Sequence, residues 1–395
     1  MDTLATFQPD IWVLLTHAPG DNDQCLALVE ALDRPAAVKR LDWPMTNPTE
    51  DRAIVRGLLA DTEEGRQRRR ENGLHAPWPR LVICNGRRSD KVAFWIKRQS
   101  GGHTKVVAIG RARQPVASYD LLVAPPQFFL PERANVISLP LPLGRRRAAN
   151  DDHAVAGAGP SNIVPVPKPW FTILLGGETK QFAVSESVLA EVARRAQMAA
   201  DRHGGSVVVS TSRRTPPALL AAVEAVLDQP YIYRWSGAAT DENPYQILLR
   251  QSAALFVTAD SASMILDGAG SGTPTYVIEF PEQIDLRRRL RRGLFRYIRA
   301  AFEGLHTWGL RHVGDRLDRA QEWLHARGIL RYPRDLRRIH ASVYKMGLAR
   351  PAIFFDPSML PARKAANDLA EISGIREVAA RCRALYDWAV RRAAE

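Results

Sequence analysis

The chain has 395 residues, with 55 lysines and arginines against 42 aspartates and glutamates, a formal net charge of +13 and 46% hydrophobic residues. This length and composition exclude a disordered, fibrous or disulfide-stapled protein and predict two globular domains, each with its own core. Cys25, Cys84 and Cys382 are far apart and form no C-x-x-C pair, so neither a disulfide framework nor a zinc site is expected and a reducing compartment is favoured. The cationic excess is mostly arginine, which favours anionic partners.

The first 140 residues alternate short apolar runs with helix-like segments. Residues 11–15 are predicted to form a buried strand, which leads through a polar turn into a helix that ends near Leu32. Strands without polar alternation, separated by helices, indicate a parallel sheet that is covered on both faces. The further predicted strands of this region are 81–84, 106–109, 121–123 and 136–139.

The composition changes at residues 145–168, which are rich in arginine, glycine and proline and are predicted to be a linker. Strand and helix alternation then restarts, and from Asp285 onward the pattern is mostly helical. The predicted strands of this second region are 171–175, 207–209, 231–233, 255–258 and 275–278.

These patterns predict an α/β protein with two Rossmann-like doubly wound domains that face a cleft, followed by a helical C-terminal tail. Residues 62–73, dense in arginine and glutamate, are expected to be a solvated insertion. No apolar run is long enough for a signal peptide or a membrane span, so a cytoplasmic protein is expected. The predicted boundaries are 1–145 for the N-terminal domain, 146–168 for the linker, 169–345 for the C-terminal domain and 346–395 for a tail that packs back on the N-terminal domain.

Two glycines, Gly176 and Gly177, follow the first strand of the second domain, and Lys180 comes shortly after them. Glycine lets the backbone approach a ligand closely, and the start of a following helix would present free N–H groups to it. A phosphate suits such a place. A Gly-Gly pair after a strand is also an ordinary tight turn, and both interpretations stay open.

The next strand ends in hydroxyl and guanidinium groups at Thr211, Arg213 and Arg214. Ligands of open α/β sheets bind at the carboxyl ends of the strands, where these side chains would lie. Helix capping by Thr215 with solvated arginines is the alternative. It does not account for two arginines beside the hydroxyls, so a functional role is favoured.

A later strand ends at Asp260 and Ser261, and a helix of small residues is predicted to follow, with Ser263 and Met264 in its first turn. The small residues leave the start of this helix open to a pyrophosphate. One turn on, Asp267 would project toward a sugar hydroxyl. The alternative is that Asp260 and Ser261 are helix N-caps.

Together with Trp235, Asn243 and Tyr245, that stretch looks like the donor half of a GT-B glycosyltransferase. The chain resembles the elongated-mitochondria fission protein family over roughly residues 10–360. Asp267 departs from the resemblance, because a glutamate would be expected there. The resemblance is carried by Gly20-Asp21-Asn22-Asp23-Gln24, Gly86-Arg87-Arg88-Ser89, Lys97-Arg98, Gly101-Gly102-His103-Thr104, Ile109-Gly110-Arg111, Pro126-Gln127-Phe128, Leu139-Pro140-Leu141-Pro142, Gly176-Gly177, Asp260-Ser261-Ala262-Ser263-Met264 and Gly272-Thr273-Pro274.

The GT-B resemblance implies that the two glycines and residues 260–264 line the diphosphate of a nucleotide sugar. It implies that Asp267 holds the ribose, and that Trp235, Asn243 and Tyr245 flank the base. It also implies a co-substrate rather than a cofactor, and no bound metal. The leaving diphosphate would then depend on helix dipoles and on cations, for which the candidates are Lys180, Arg213 and Arg214.

The GT-B resemblance implies that a general base comes from the first domain, where Asp21 and His17 lie on the loop after the first strand. Asp21 could act as the base or orient His17. Asp21 is also a candidate helix N-cap, and that alternative stays open. The resulting hypothesis is a glycosyltransferase that moves a sugar from a nucleotide-diphosphate donor to a glycolipid or cell-surface glycan acceptor. A non-catalytic adaptor at a membrane is the alternative, because the plant relatives are associated with organelle division.

Residues 287–299 combine arginines with apolar residues at helical spacing. An anionic membrane surface would suit such a helix, which favours a peripheral position at the inner face of the cytoplasmic membrane. Packing on the core with a solvated basic face is the alternative. A nucleic-acid partner is not expected, because no reader motif or aromatic platform accompanies the charge.

Overall fold

The computed structural model of the protein describes residues 10–41, 48–144, 164–179, 181–236, 243–283 and 334–392, together with Leu290, Gly293 and Tyr332. Contacts divide the chain into two compact units. The first unit comprises Met1–Arg146, Leu290–Arg334 and Ala370–Glu395, and the second comprises Arg147–Arg289 and Asp335–Leu369.

Each unit is built on a parallel sheet of six strands. The first sheet has the order β2-β1-β3-β4-β5-β6 and the second has the order β12-β11-β10-β7-β8-β9. The strands are β1 (Ile11–Leu15), β2 (Ala36–Arg40), β3 (Leu81–Asn85), β4 (Lys105–Ile109), β5 (Leu121–Ala124), β6 (Val136–Ser138), β7 (Trp170–Leu174), β8 (Ser206–Ser210), β9 (Tyr231–Tyr233), β10 (Ala254–Thr258), β11 (Thr275–Ile278) and β12 (Arg350–Pro351).

Helices connect these strands, as a parallel sheet requires. They are α1 (Pro19–Leu32), α2 (Pro48–Leu59), α3 (Glu63–Glu71), α4 (Arg87–Gln99), α5 (Glu186–His203), α6 (Pro217–Glu224), α7 (Tyr245–Gln251), α8 (Ala262–Ser271), α9 (Arg337–Lys345), α10 (Leu369–Ile372) and α11 (Ile375–Arg392). Short 3₁₀ turns occupy Val116–Ser118 and Ala352–Phe354. The predicted α/β class with two doubly wound units is therefore confirmed, and a helical C-terminal segment is present.

All ten predicted strands are present. Sequence reasoning missed β2 and β12, for related reasons. Strand β2 lies at the edge of the first sheet and alternates half-buried with exposed residues, and β12 has two residues. Neither has the continuous apolar run that identified the central strands.

The two faces of the first sheet bury alternate side chains of each strand. On one face, Ile11 and Val13 pack in a cluster that includes Leu28 of α1 and Val378 of α11. On the other face, Trp12 and its neighbours pack against α4. The C-terminal helix therefore completes the core of the first unit.

Residues 62–73 are mostly exposed, as their composition predicts, but they form a helix with two buried residues, Gly65 and Arg69. Thr62 accepts a hydrogen bond from the N–H of Gly65 and begins α3. Arg69 is buried and donates to the carbonyl oxygens of Leu58 and Ala60. An arginine thus anchors the helix, because its guanidinium satisfies two carbonyls that would otherwise be buried without a partner.

The second sheet has the strand order of a dinucleotide-binding domain, with β7 and β10 on either side of the point where the order reverses. In the first sheet the corresponding reversal lies between β1 and β3. Ligands of doubly wound sheets bind outside the carboxyl ends of the strands at such a point. The topology therefore defines one candidate position in each unit.

Candidate functional site

The carboxyl ends of β7 and β10 are joined through Gly176 and Gly177. The N–H of Gly176 donates to Oγ1 of Thr258 at 2.8 Å, and the N–H of Gly177 donates to Oδ2 of Asp260 at 2.9 Å. Two predicted site segments, 84 residues apart at Gly176 and Asp260, thus meet at the point of strand reversal. The N–H of Gly177, which was expected to face a phosphate, is bonded to a side chain of the protein.

Only glycine fits at positions 176 and 177, because other groups of the protein lie close to both Cα atoms. A Cβ at Gly176 would lie 2.3 Å from Oδ1 of Asp260, and a Cβ at Gly177 would lie 2.1 Å from the carbonyl oxygen of Arg214. No side chain fits in either place without moving backbone or a buried carboxylate. The tight packing of the protein's own groups is therefore sufficient to explain the Gly-Gly pair.

The predicted helix start behind the glycines lies elsewhere. Helix α5 begins at Glu186, nine residues after Gly177, and its N-cap Ser185 accepts from the N–H of Val188. The N–H groups of α5 are therefore not adjacent to the Gly-Gly turn. Lys180, the cation expected beside it, lies outside the described residues.

Asp260 is the centre of this cluster. Its side chain is 1% exposed, and its carboxylate lies 3.1 Å from Nη2 of Arg214. Burial raises the pKa of Asp260, while the N–H of Gly177, the hydroxyl of Thr258 and the Arg214 guanidinium oppose that shift. Since these donors favour the charged form, we treat Asp260 as a carboxylate that binds the three loops together.

The loop after β8 is fixed to the same edge by Thr215. Its hydroxyl accepts from the N–H of Ser212 at 2.8 Å and lies 2.8 Å from the carbonyl oxygens of Leu175 and Gly176. Thr215 is not the N-cap of α6, because Pro216 occupies that position. The capping alternative therefore does not describe this loop.

Arg213 and Arg214 differ in their surroundings. Arg214 is paired with Asp260, whereas Arg213 is exposed and has no hydrogen bond or ion pair within the part of the chain that the structure describes. Arg213 is thus the guanidinium of this loop that is available to an anion.

The start of α8 is open. Its N-cap Ser261 makes no side-chain hydrogen bond to the helix, and the helical bonds begin with the N–H of Ile265 donating to the Ser261 carbonyl. Among the described residues, none accepts a hydrogen bond from the N–H groups of residues 262–264. Ser263 is exposed and Met264 is half-buried. These amides and the helix dipole favour an anion at this end.

The remaining predicted donor-side residues form two smaller groups. Tyr245 donates its hydroxyl to Oδ2 of Asp267 at 2.8 Å, and burial, followed by the nearby Asp267 charge, raises the pKa of Tyr245. Asn243 accepts from the N–H of Tyr245 at the start of α7. The side chain of Trp235 is 40% exposed, and the backbone N–H of this residue donates to the hydroxyl of Thr211.

In the first unit, Asp21 lies in the first turn of α1, at the reversal between β1 and β3. The N-cap of that helix is Ala18, so Asp21 is not the cap. Oδ2 of Asp21 lies 3.5 Å from where a Cβ of Gly86 would stand, at the start of α4. Burial raises the pKa of Asp21, and the charges of Arg334 and Arg113 partly oppose the shift.

His17 is half-buried on the loop between β1 and α1. Asn22 fixes that loop, because its side chain accepts from the N–H of Thr16 at 2.8 Å and donates to the Thr16 carbonyl at 2.6 Å. The backbone on either side of His17 is therefore held in place.

Sequence reasoning missed Asp90 and Tyr119. Asp90 is 3% exposed and accepts from the Tyr119 hydroxyl at 2.8 Å, while that hydroxyl accepts from the N–H groups of Arg113 and Gln114. Burial raises the pKa of Asp90 to about 7. This network fixes the loop that carries Arg113, whose charge acts on Asp21. The signal in the sequence was the position of Asp90 directly after the Gly86–Ser89 motif.

The described residues contain no group of three or more histidine, cysteine, aspartate or glutamate side chains that could hold a metal ion. The three cysteines are buried and form no disulfide. No helix in the described ranges is long and apolar enough to cross a membrane. The arginine-rich residues 287–299 lie outside the described residues, apart from Leu290 and Gly293.

Comparison with known proteins gives one family and several distant relatives. The model of the family described as "Mitochondrial fission ELM1" matches residues 19–329. The "Mitochondrial fission protein ELM1" of Arabidopsis thaliana is 26% identical over 231 residues, which are 51% of this chain and 51% of that protein. The "Uncharacterized protein RP120" of Rickettsia prowazekii is 23% identical over 241 residues, 54% of this chain and 68% of that protein. The chain thus spans about half the length of the Arabidopsis relative.

Among solved structures, MurG of Acinetobacter baumannii is similar to this chain with a TM-score of 0.40 and 10% sequence identity, over 97% of this chain and 100% of MurG. A similarity of this size carries no statement about activity. The fold assignment therefore depends on the order and direction of the strands.

Proposed function

This chain belongs to the mitochondrial fission ELM1 family, and we propose that it acts as a glycosyltransferase that moves a sugar from a nucleotide-diphosphate donor to a glycolipid or cell-surface glycan acceptor. One observation carries the proposal: the open start of α8 lies at the strand reversal of a dinucleotide-type sheet, and the neighbouring loop presents Arg213, which has no partner among the described residues. Backbone amides, a helix dipole and a guanidinium together suit a diphosphate.

Within the second unit, Arg213 and Arg214 have different proposed roles. The N–H groups of residues 262–264 and the guanidinium of Arg213 bind the diphosphate of the donor. Asp260 and Arg214 brace the loops around it, because both are already bonded to the protein. Asp267, supported by Tyr245, binds a ribose hydroxyl, and Trp235 stacks on the base.

The transfer forms one bond and breaks another. The acceptor hydroxyl attacks the anomeric carbon of the sugar, and its proton passes to a carboxylate oxygen of Asp21. The bond between the anomeric carbon and the diphosphate oxygen breaks, and its electron pair remains on the diphosphate. Arg213 and the α8 dipole stabilise this leaving group. We propose that the reaction takes place in the cytoplasm, at the inner face of the cytoplasmic membrane.

A raised pKa supports the assignment of Asp21 as the base. Burial raises the pKa of Asp21 above its ordinary value of 3.8. A carboxylate with a higher pKa is a stronger base, provided that it stays ionised at the working pH. Arg334 and Arg113 oppose the shift and keep the ionised form accessible.

A non-catalytic membrane adaptor is the second candidate, and one observation favours it. The carboxylate of Asp260 occupies the Gly177 amide and the Arg214 guanidinium, which are groups that a diphosphate would otherwise use. A donor site filled in this way would not bind a nucleotide sugar, and the protein would then bind partners without catalysing a reaction. The name of the Arabidopsis relative, which refers to fission and not to sugar transfer, is compatible with it.

Nucleotide binding separates the two candidates. We expect thermal unfolding to shift upward with a uridine, guanosine, adenosine or thymidine diphosphate, since a ligand of the native state stabilises it. The R213A variant should bind that nucleotide about tenfold to a hundredfold more weakly, as expected for a charged hydrogen bond worth about 1.5–3 kcal/mol. Arg98, exposed in the first unit, provides the matched control R98A. If no nucleotide shifts the transition, the adaptor replaces the enzyme.

A further inference from the structure

Four large apolar side chains are exposed in one segment of the second unit, residues 353–360, which we call the apolar loop. Ile353 is 72% exposed, Phe354 69%, Met359 65% and Leu360 52%. Single exposed apolar residues are normal on a protein surface, but a cluster of this kind marks a site of interaction. The other large apolar side chains with comparable exposure in the described chain are Val38, Met198, Trp235, Leu290, Met346 and Trp388.

The apolar loop is held rigidly at its base. Phe355, between the exposed pairs, is 1% exposed and packs edge-to-face on Phe256 with ring centroids 4.8 Å apart. The guanidinium of Arg195 on α5 donates to the carbonyl oxygens of Ile353 and Phe355. Because Phe355 is anchored in the core, its neighbours Ile353 and Phe354 are kept in solvent.

A tight turn separates the two exposed pairs. One carboxylate oxygen of Asp356 accepts from both the N–H and the hydroxyl of Ser358, at 2.9 and 2.7 Å. The second pair, Met359 and Leu360, follows this turn directly. Both pairs therefore belong to one short, structured loop.

Basic residues flank the apolar loop in the sequence, and Glu191 and Glu279 line a pocket together with Ile353. Residues 345–364 contain four basic residues against the single acidic Asp356. The hydrogen bonds of Ser358 lower the pKa of Asp356, and the charges of Arg195 and Arg202 on α5 lower it further, so both guanidiniums lie within electrostatic reach of the loop. The four basic residues are Lys345, Arg350, Arg363 and Lys364.

We propose that the apolar loop inserts into the interfacial region of an anionic lipid bilayer, with the flanking basic residues on the lipid headgroups. Apolar side chains at a surface with a cationic rim are the combination that binds peripheral proteins to anionic membranes, because the two contributions add. The proposal concerns residues 353–360 and not residues 287–299, and it does not depend on sugar transfer.

The test uses the full chain and sedimentation with vesicles of phosphatidylcholine and phosphatidylglycerol, compared with vesicles of phosphatidylcholine alone. The double variant I353S/F354S should lower the partition coefficient onto the mixed vesicles by about tenfold or more, since two apolar side chains no longer leave water. The control V38S changes an exposed apolar residue on β2 of the first unit and should bind like wild type. The R202E variant should weaken binding to the mixed vesicles only.

A second measurement places the loop in the bilayer. The tryptophan introduced by F354W should be quenched by brominated lipids to a greater extent than wild type with its native tryptophans. The proposal is overturned if I353S/F354S sediments like wild type, if wild type does not sediment with the mixed vesicles, or if F354W gains no quenching. A protein partner that binds the loop while vesicles do not would also overturn it.

Discussion

Replacing Asp90 with asparagine is expected to flatten the dependence of stability on pH. Asp90 is buried in the first unit, and burial raises its native pKa from the ordinary 3.8 to about 7. Between these values the native state binds more protons than the unfolded state, so the free energy of unfolding falls as the pH rises. The variant D90N cannot ionise, and its amide oxygen can still accept from Tyr119.

The size of the effect follows from the interval between the two pKa values. At 1.36 kcal/mol for each tenfold change, the interval from 3.8 to about 7 corresponds to about 4 kcal/mol in total. About 3 kcal/mol of that falls between about pH 5 and pH 8, because the unfolded carboxyl is already mostly ionised at pH 5. Wild type should lose that much more stability than D90N over this range.

The assay must report on the first unit alone, because a chain with two units need not unfold in one step. Amide hydrogen exchange of β3 and β4 at the two pH values, corrected for the intrinsic exchange rates, gives the local free energy of opening. The control D61N changes an aspartate whose side chain is 91% exposed and should leave the pH dependence unchanged. If wild type and D90N lose equal free energy between the two pH values, burial does not hold Asp90 neutral and the reasoning fails.

Three further predictions concern the residues at the carboxyl ends of the strands in the two sheets. The D21N variant should abolish sugar transfer, while its nucleotide affinity, measured by calorimetry, should stay within about twofold of wild type. The control variant D23N, on the same helix, should transfer sugar normally, and full turnover by D21N would remove Asp21 from the mechanism. The G177A variant should lower the free energy of unfolding by about 1–3 kcal/mol in denaturant titrations, because its Cβ would lie 2.1 Å from a backbone oxygen. The control variant G57A, which has open space around it in α2, should be neutral or stabilising, and equal effects of the two variants would contradict the packing argument. D260N should lower both the melting temperature and nucleotide affinity, and a gain in affinity would show that Asp260 blocks the site instead of bracing it.

The sequence predicts the central strands well, because a parallel strand buried on both faces has to be apolar throughout. Since β1 and β10 were identified, the polar residues that follow them could be assigned to the carboxyl edges, and Asp21 and Asp260 do lie there. Strands β2 and β12 were missed and the start of α5 was misplaced, because half-exposed or very short segments and irregular connections have no periodic signal.

The pairing of side chains could not be predicted in the same way. Asp260 meets Gly177 and Arg214, which are 83 and 46 residues away in the sequence. Composition alone cannot tell which of the two arginines pairs with it and which stays free. Asp90 was missed because an acidic residue in the first turn of a helix is usually a solvated partner of the helix dipole, and burial of this one depends on Tyr119 from a distant loop.

The two units place a carboxylate at the same topological position, and the difference between these carboxylates explains their proposed roles. Asp260 accepts from the Gly177 amide and from Arg214, and its side chain is 1% exposed, so no substrate proton can reach its bonded oxygen. Asp21 is half-buried, and within the described residues no hydrogen bond to its carboxylate accompanies the charges of Arg334 and Arg113. A base needs a lone pair that the substrate can reach, whereas a brace acts through an oxygen that is already bonded to the protein, as Oδ2 of Asp260 is. Asp21 therefore suits proton transfer, and Asp260 suits holding the donor edge in shape.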